Sequence, residues 1–374
     1  MSGRVYTALG LMSGTSMDGI DGAIIATDGE RVEKLGACDT LDYGDGTREK
    51  LRDAAVLAAR HPDKSDPHPE LVRLEREITD DHVIAVGRLL EKAQLGPAEI
   101  DVIGLHGHTV LHRPHRGMTW QIGDGARLAR ETGIPVVGDM RANDLANGGE
   151  GAPFAPLYHR ALLTTQPPHN TVAVLNLGGV ANVTWVGGLK TPKTEIMAFD
   201  TGPGNALIDD WAMLHTGRAV DQDGNLAAQG LVHSELVASF LDNPYFDESP
   251  PKSLDRNDFS IQCVRGLSAA DGAATLIEIT VSAITTAQAH FPSPPEAWYV
   301  CGGGRKNKTM MKRLRSGTPV LVDPVEVLGW RGDVLEAEAF GFLAVRSLLG
   351  LPLSLPTTTG VSEPVTGGVL HRSG

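Results

Sequence analysis

Residues 5–12 are mainly apolar, residues 13–19 carry glycines, hydroxyls and a carboxylate, and residues 20–26 are again mainly apolar. Two short apolar runs around a Gly- and Ser/Thr-rich insert predict a β-hairpin. The plan returns in the second half, where residues 171–177 and 180–186 flank a second glycine turn. A third cluster, Gly302-Gly303-Gly304, follows a strand pattern at 297–300 and precedes a helical run at 307–314. Helical periodicity also marks residues 51–59, 71–93, 276–290 and 333–349, with shorter helices from 205 and 230. Strand patterns mark 101–105, 119–122, 134–137 and 195–199, and Asp124 is placed to cap a helix at 125–131. Strands followed by helices in both halves predict an α/β protein with mixed sheets. The duplicated strand–turn–strand unit predicts two similar domains facing a shared cleft. Residues 141–156, rich in Asn, Gly and Pro, read as the connection, and 244–258 as a rim or lid.

The turns carry the chemistry. A glycine-rich turn presents backbone N–H groups in a concave array that suits phosphate oxygens. In the first, Gly14, Thr15, Ser16, Met17, Asp18, Gly19, Ile20 and Asp21 are candidate ATP contacts. Asp18 and Asp21 are candidates for Mg2+, directly or through water, because that ion takes oxygen ligands and keeps part of its hydration shell. Gly178, Gly179 and Asn182 in the second turn and Gly302 and Gly303 in the third extend the set. The common Gly-x-x-x-x-Gly-Lys-Ser/Thr and Gly-x-Gly-x-x-Gly phosphate motifs are absent, which fits a nucleotide site built from hairpins.

Asp200, in Asp200-Thr201-Gly202-Pro203-Gly204-Asn205, follows a predicted strand and precedes a predicted helix, where α/β proteins place ligands. It is the candidate general base, the alternative being a turn or helix cap. Asn205 in the same motif, Asp144, His106 and Glu336 are candidate substrate contacts. Asp139 and Asp144 flank Arg141, so an ion pair is an equal reading for them, and Glu336 would also suit a helix amino terminus electrostatically. His106, His108, His112 and His115 form a cluster. On a regular strand His106 and His108 would share a face, which allows a zinc site, but no Cys or Glu at familiar spacing completes one.

Composition narrows the function classes. The chain has 374 residues and a formal net charge of −13, enough for about two domains and contrary to a nucleic-acid or anionic-membrane surface. Cys38, Cys263 and Cys301 are far apart and lack metal-ligand spacing, which fits a reducing compartment. No apolar run approaches the length of a membrane span and no secretory leader is evident, so a cytoplasmic protein is expected.

Six segments in order make the chain resemble the 1,6-anhydro-N-acetylmuramic acid kinases, of the sugar kinase/Hsp70/actin superfamily. They are residues 14–21, 121–124, 148–153, 176–182, 200–205 and 301–304. The resemblance implies two actin-like ATPase domains around a central ATP cleft, one formed by residues 1–142 and about 345–374, the other by 143–344. It implies an ATP- and Mg2+-dependent kinase of peptidoglycan recycling, usually a homodimer, that hydrolyses the anhydro ring and phosphorylates O6. It carries residues 14–21 over as ATP-binding, Asp200 as catalytic base and Glu336 as a substrate-binding carboxylate. Three departures touch the substrate rim: His108 stands where the family usually has Gln, Glu150 replaces a common Gln, and Leu254-Asp255 interrupts a run otherwise kept at Lys252, Ser253 and Arg256. The alternatives are a kinase for another sugar, a nucleotide-independent glycosidase using Asp200 and Glu336, and a non-catalytic ATPase.

Overall fold

The structure, a computed structural model, describes residues 3–14, 16–165, 167–191 and 193–373. Its strands, in chain order, are β1 (Tyr6–Ser13), β2 (Gly19–Thr27), β3 (Val32–Asp42), β4 (Val102–Arg113), β5 (Met118–Ile122) and β6 (Val136–Gly138). They continue with β7 (Val172–Leu177), β8 (Val180–Gly187), β9 (Glu195–Pro203), β10 (Ala297–Cys301), β11 (Leu321–Pro324) and β12 (Val369–His371). Two compact units result, residues 3–165 with 334–373 and residues 167–333, each around its own sheet.

In the first unit β1, β2 and β3 form an antiparallel meander. On the other side of β1 lie β4 and then β6, both parallel to it, with β5 folded back on the long β4 and β12 antiparallel to β6. The second unit repeats the scheme: β7, β8 and β9 are the meander, and β10 and β11 follow in parallel beyond β7. The expected α/β class and the duplication are both present.

Helix Leu335–Leu348 packs against one face of the first sheet. A Cβ on Gly10 would run into the Ala337 carbonyl, and one on Gly104 into that of Phe340, so this contact exists only because both positions lack a side chain. Side chains alternate along β2, and on the opposite face Gly22 meets Leu89 of helix Pro69–Ala93. That helix buries Leu71, Leu74, Ile78, His82, Ala85 and Leu89, spaced three and four apart as one stripe. In the second unit helix Ala269–Ala287 is buried on most of its circumference, in a core with Trp211, Phe199 and Trp298.

The expected domain boundaries at 142/143 and 344/345 both fall inside the first unit, the second within helix Leu335–Leu348. Residues 141–156 are likewise not a connection between units. The segment is fastened within the first unit to the carboxyl-terminal stretch: Asn143 Nδ2 donates to the Thr366 carbonyl and the Glu150 N–H to that of Thr359, each at 2.6 Å. Strand β9 runs four residues beyond the expected end at 199, which places Asp200 within the sheet.

Candidate functional site

The first turn leaves β1 at Ser13 and enters β2 at Gly19. Met17 N–H closes it on the Gly14 carbonyl at 3.0 Å, and Met17 itself has a positive φ of 56°. Two anchors hold its far side: Arg48 Nε donates to the Met17 carbonyl at 3.2 Å, and the Tyr43 N–H to that of Asp18 at 2.9 Å. Gly19 lies tight against the Leu41 carbonyl on β3, so the turn admits no larger residue there. Ile20 is fully buried, so its side chain belongs to the core and only its main chain could face a ligand. Thr15 lies outside the described residues.

Asp18 is exposed and accepts the Ser16 hydroxyl at 2.6 Å, whereas Asp21, within β2, accepts that of Thr40 at 2.6 Å. Among the described residues no group of three or more His, Cys, Asp or Glu side chains is gathered for a metal ion. An all-protein metal cage is therefore not built here. Mg2+ ordinarily takes one or two carboxylates beside phosphate oxygens and water, and Asp18, exposed, and Asp21, half-buried, bring donors of that chemistry.

The histidine cluster is divided by a bulge. Gly107 has φ 74°, and the register between β1 and β4 shifts there, so His106 and His108 meet different neighbours instead of sharing a face. His106 donates through Nδ1 to the Gly107 carbonyl at 2.8 Å, and its Nε2 lies 3.0 Å from Nη2 of Arg141. Burial first and the arginine second hold its pKa well below the usual histidine range. A guanidinium at Nε2 excludes a zinc ion from that nitrogen.

Arg141 also donates to the Gly151 carbonyl at 2.6 Å, and the Gly151 N–H donates to Asp144 Oδ2 at 2.7 Å. Asp144 Oδ1 accepts the Thr359 hydroxyl at 2.6 Å, and the residue is 1% exposed. Both oxygens of Asp144 thus hold the 141–151 segment in shape. Glu336 is half-buried in the first turn of helix Leu335–Leu348.

In the second unit the turn between β7 and β8 is fixed by its carbonyls. Asn205 N–H donates to the Gly178 carbonyl at 2.8 Å, and Gly204 N–H to that of Gly179 at 2.9 Å. In a trans peptide the carbonyl and the following N–H point oppositely, so the Gly179 N–H is aimed away from residue 205. Asn205 Nδ2 adds a bond to the Leu177 carbonyl at 2.8 Å. At the third turn Arg305 Nη1 donates to the Gly302 carbonyl at 2.9 Å, which by the same rule turns the Gly303 N–H away from the arginine. Arg305 is held by Glu326 and Asp333, and its hydrogen bond pulls the Asp333 carboxyl down to about 2.

Asp200 is directly opposite Asn182 in the β8–β9 ladder, so their side chains share a face. Its N–H donates to the Lys252 carbonyl at 3.0 Å, its carbonyl accepts the Tyr245 hydroxyl at 2.6 Å, and Oδ2 accepts the Leu254 N–H at 2.9 Å. Residues 245–254 are thus the cradle of this carboxylate. Lys252 is buried, with Nζ 2.7 Å from the Tyr245 carbonyl and 4.5 Å from the centre of its ring, and burial lowers its pKa. The Leu254-Asp255 interruption is tolerated at Asp200, since the contact uses the main chain of residue 254.

Tyr43 and Arg48 brace the first turn from 25 and more residues away, and no local pattern marks them. Tyr245 and Lys252, within the segment read as a rim or lid, brace Asp200; the sequence marks Lys252 only as part of the run shared with the family.

The profile of a family described as Anhydro-N-acetylmuramic acid kinase matches residues 6–373. A protein of that name from Rhizorhabdus wittichii is 53% identical over 365 residues, covering 98% of this chain and 98% of its own. Another, from Paramagnetospirillum magneticum, is 50% identical over 368 residues, covering 97% and 99%. A third, from Acidiphilium cryptum, is 50% identical over 370 residues, covering 98% of both chains. Among solved structures, component A of (R)-2-hydroxyglutaryl-CoA dehydratase from Acidaminococcus fermentans aligns at a TM-score of 0.49 and 12% identity, covering 92% of this chain and 99% of that one.

Proposed function

The chain belongs to the anhydro-N-acetylmuramic acid kinase family, and from that premise we propose that it uses ATP to phosphorylate O6 of 1,6-anhydro-N-acetylmuramic acid as water opens the anhydro bridge. The products are N-acetylmuramic acid 6-phosphate and ADP, and the pathway is peptidoglycan recycling. Asp200 accepts a proton from the water that attacks C1. The C1–O6 bond breaks, and O6 attacks the γ-phosphorus as the bond to ADP breaks. General-base assistance supplies roughly 10²–10⁴-fold.

The observation that carries this reading is the fixed orientation of Asp200, whose main chain and carboxylate are both anchored and which is 6% exposed. A base held at one angle wastes no entropy in finding its proton. The amides of the first turn bind phosphate oxygens, and in the second unit the amides of Gly179 and Gly303 have the same capacity. Phosphoryl transfer needs mainly such positioning and charge neutralisation. Asp18 and Asp21 would hold Mg2+, which supplies positive charge to the phosphates when bound. Glu336, Asp144 and His106 of the first unit are sugar-binding residues, Asp144 and His106 by shaping the 141–151 segment, and Asn205 is the candidate sugar contact of the second unit. The protein works as a cytoplasmic homodimer. Three unbridged cysteines among the described residues fit a reducing compartment; no described helix is long and apolar enough to cross a membrane.

The test is ADP release with 1,6-anhydro-N-acetylmuramic acid, with N-acetylglucosamine and with no sugar. Release that depends on the anhydro sugar is expected. Equal release without sugar would support an ATPase, and a preference for N-acetylglucosamine would support a different sugar kinase.

A further inference from the structure

We propose that His108 is a positioning residue for the first glycine turn, acting through the hydroxyl of Ser13. The proposal rests on the reading that this turn binds the phosphates of ATP. Ser13 is the last residue of β1, and the turn begins at the next peptide. Its Oγ lies 2.8 Å from His108 Nδ1 and 3.0 Å from Tyr43 Oη. The three residues are 1%, 0% and 5% exposed. Tyr43 therefore grips both ends of the turn, its main-chain N–H holding Asp18 and its hydroxyl holding Ser13. His108 completes the bracket from β4, because the bulge at Gly107 brings it opposite Ser13 in the register.

The direction of the hydrogen bond follows from what is unmatched. His108 Nε2 is buried with no hydrogen-bond partner. Burial, with His82 nearby adding to it, keeps the ring neutral, with its pKa pushed down to about 4. A neutral imidazole carries one N–H. On Nε2 that hydrogen would be a buried unsatisfied donor, which is costlier and rarer than an unmatched lone pair. On Nδ1 it is donated to Ser13 Oγ. The His108 ring thus holds one end of the turn with a directed bond from a rigid strand, and at 0% exposed it offers no surface to a ligand, contrary to the substrate-rim position expected for it.

His82 has the same character. Its Nδ1 is 2.7 Å from the Ile78 carbonyl, which can only accept, so its Nε2 is also an unmatched lone pair. It has no bond to the turn and serves as an internal control.

The experiment compares His108→Leu, which keeps volume and removes the donor, with His108→Asn, whose amide nitrogen can occupy the Nδ1 position. KM for ATP, KM for the anhydro sugar, kcat and thermal midpoint are measured for each. His108→Leu is expected to raise KM for ATP about 10-fold, the worth of one buried hydrogen bond, with little effect on KM for the sugar. His108→Asn should recover most of that loss, and His82→Leu should not move KM for ATP. Ser13→Ala, which removes the acceptor without bulk, should reproduce the rise and decide the matter if His108→Leu fails to fold. Equal behaviour of Leu and Asn at 108, or an unchanged KM for ATP in Ser13→Ala, overturns the proposal. Gly14→Val separates the two levels. If it leaves ATP binding intact, the phosphate reading of the turn is wrong. If it abolishes ATP binding while Ser13→Ala does nothing, only the role of His108 is wrong.

Discussion

The main-chain N–H of Leu254 donates to Oδ2 of Asp200 at 2.9 Å, and this bond fixes the orientation of the carboxylate proposed to activate water. Asp200→Asn keeps the size of the side chain and removes the proton acceptor. Turnover is expected to fall by about 10²–10⁴-fold with the affinity for ATP nearly unchanged. Steady-state kinetics with calorimetric ATP titration checks this, and near-normal turnover would move the base elsewhere.

Gly104 meets the Phe340 carbonyl with no room for a methyl group. Gly104→Ala must push helix Leu335–Leu348 off the sheet, at a cost of about 1–3 kcal/mol as for other overpacked cores. Urea unfolding should show a lower midpoint, and because Glu336 stands in the first turn of that helix, KM for the sugar should rise as well. A midpoint equal to wild type would contradict the packing account.

Asp144 is expected to behave as a fastener. Asp144→Asn sets an NH2 group against the Gly151 N–H or the Thr359 hydroxyl, which leaves a buried donor unmatched and costs about 1–3 kcal/mol. Thermal stability should fall and KM for the sugar should rise more than KM for ATP. Loss of kcat alone, with stability intact, would point to a direct role in chemistry.

Acid should weaken the first unit through its buried histidines. Burial pushes His82, His108 and His112 down to about 4 and His159 to about 3, from an ordinary value of 6.5. Above pH 6.5 folded and unfolded chains are alike neutral at these sites, and nothing is lost. As pH falls from 6.5 toward 4 the unfolded chain takes up protons that the folded one refuses, so stability drops by up to ~1.4 kcal/mol per pH unit for each ring. Urea midpoints at pH 7 and pH 5 measure the slope. His82→Leu should make it shallower, and an unchanged slope would contradict the assignment.

The elements that were legible in the sequence are those whose own pattern decides them. Helix Pro69–Ala93 announces itself by a long apolar stripe, and the hairpins around Gly14 and Gly178 by short apolar runs broken by glycine. Strand β12 was not legible, because Val369–His371 is short and half exposed and is a strand only by pairing with β6. Composition misled at residues 141–156, where Asn143 and the Glu150 main chain tie the segment to Thr366 and Thr359 within the first unit. Periodicity misled at His106 and His108, where one positive φ at Gly107 reverses the alternation. Asp200 could be singled out from its motif and 244–258 as a rim, but the contact between the two could not, since it works largely through main-chain atoms that carry no sequence signature.

The coupled reaction is tested most directly by isotope placement. The enzyme is incubated with ATP and 1,6-anhydro-N-acetylmuramic acid in ¹⁸O-enriched water, and the 6-phosphorylated product is analysed by mass spectrometry before the anomeric oxygen exchanges. The account predicts one ¹⁸O at C1 and none in the transferred phosphoryl group. Label in the phosphoryl group, or a phosphorylated product whose C1 oxygen is unlabelled, would contradict it.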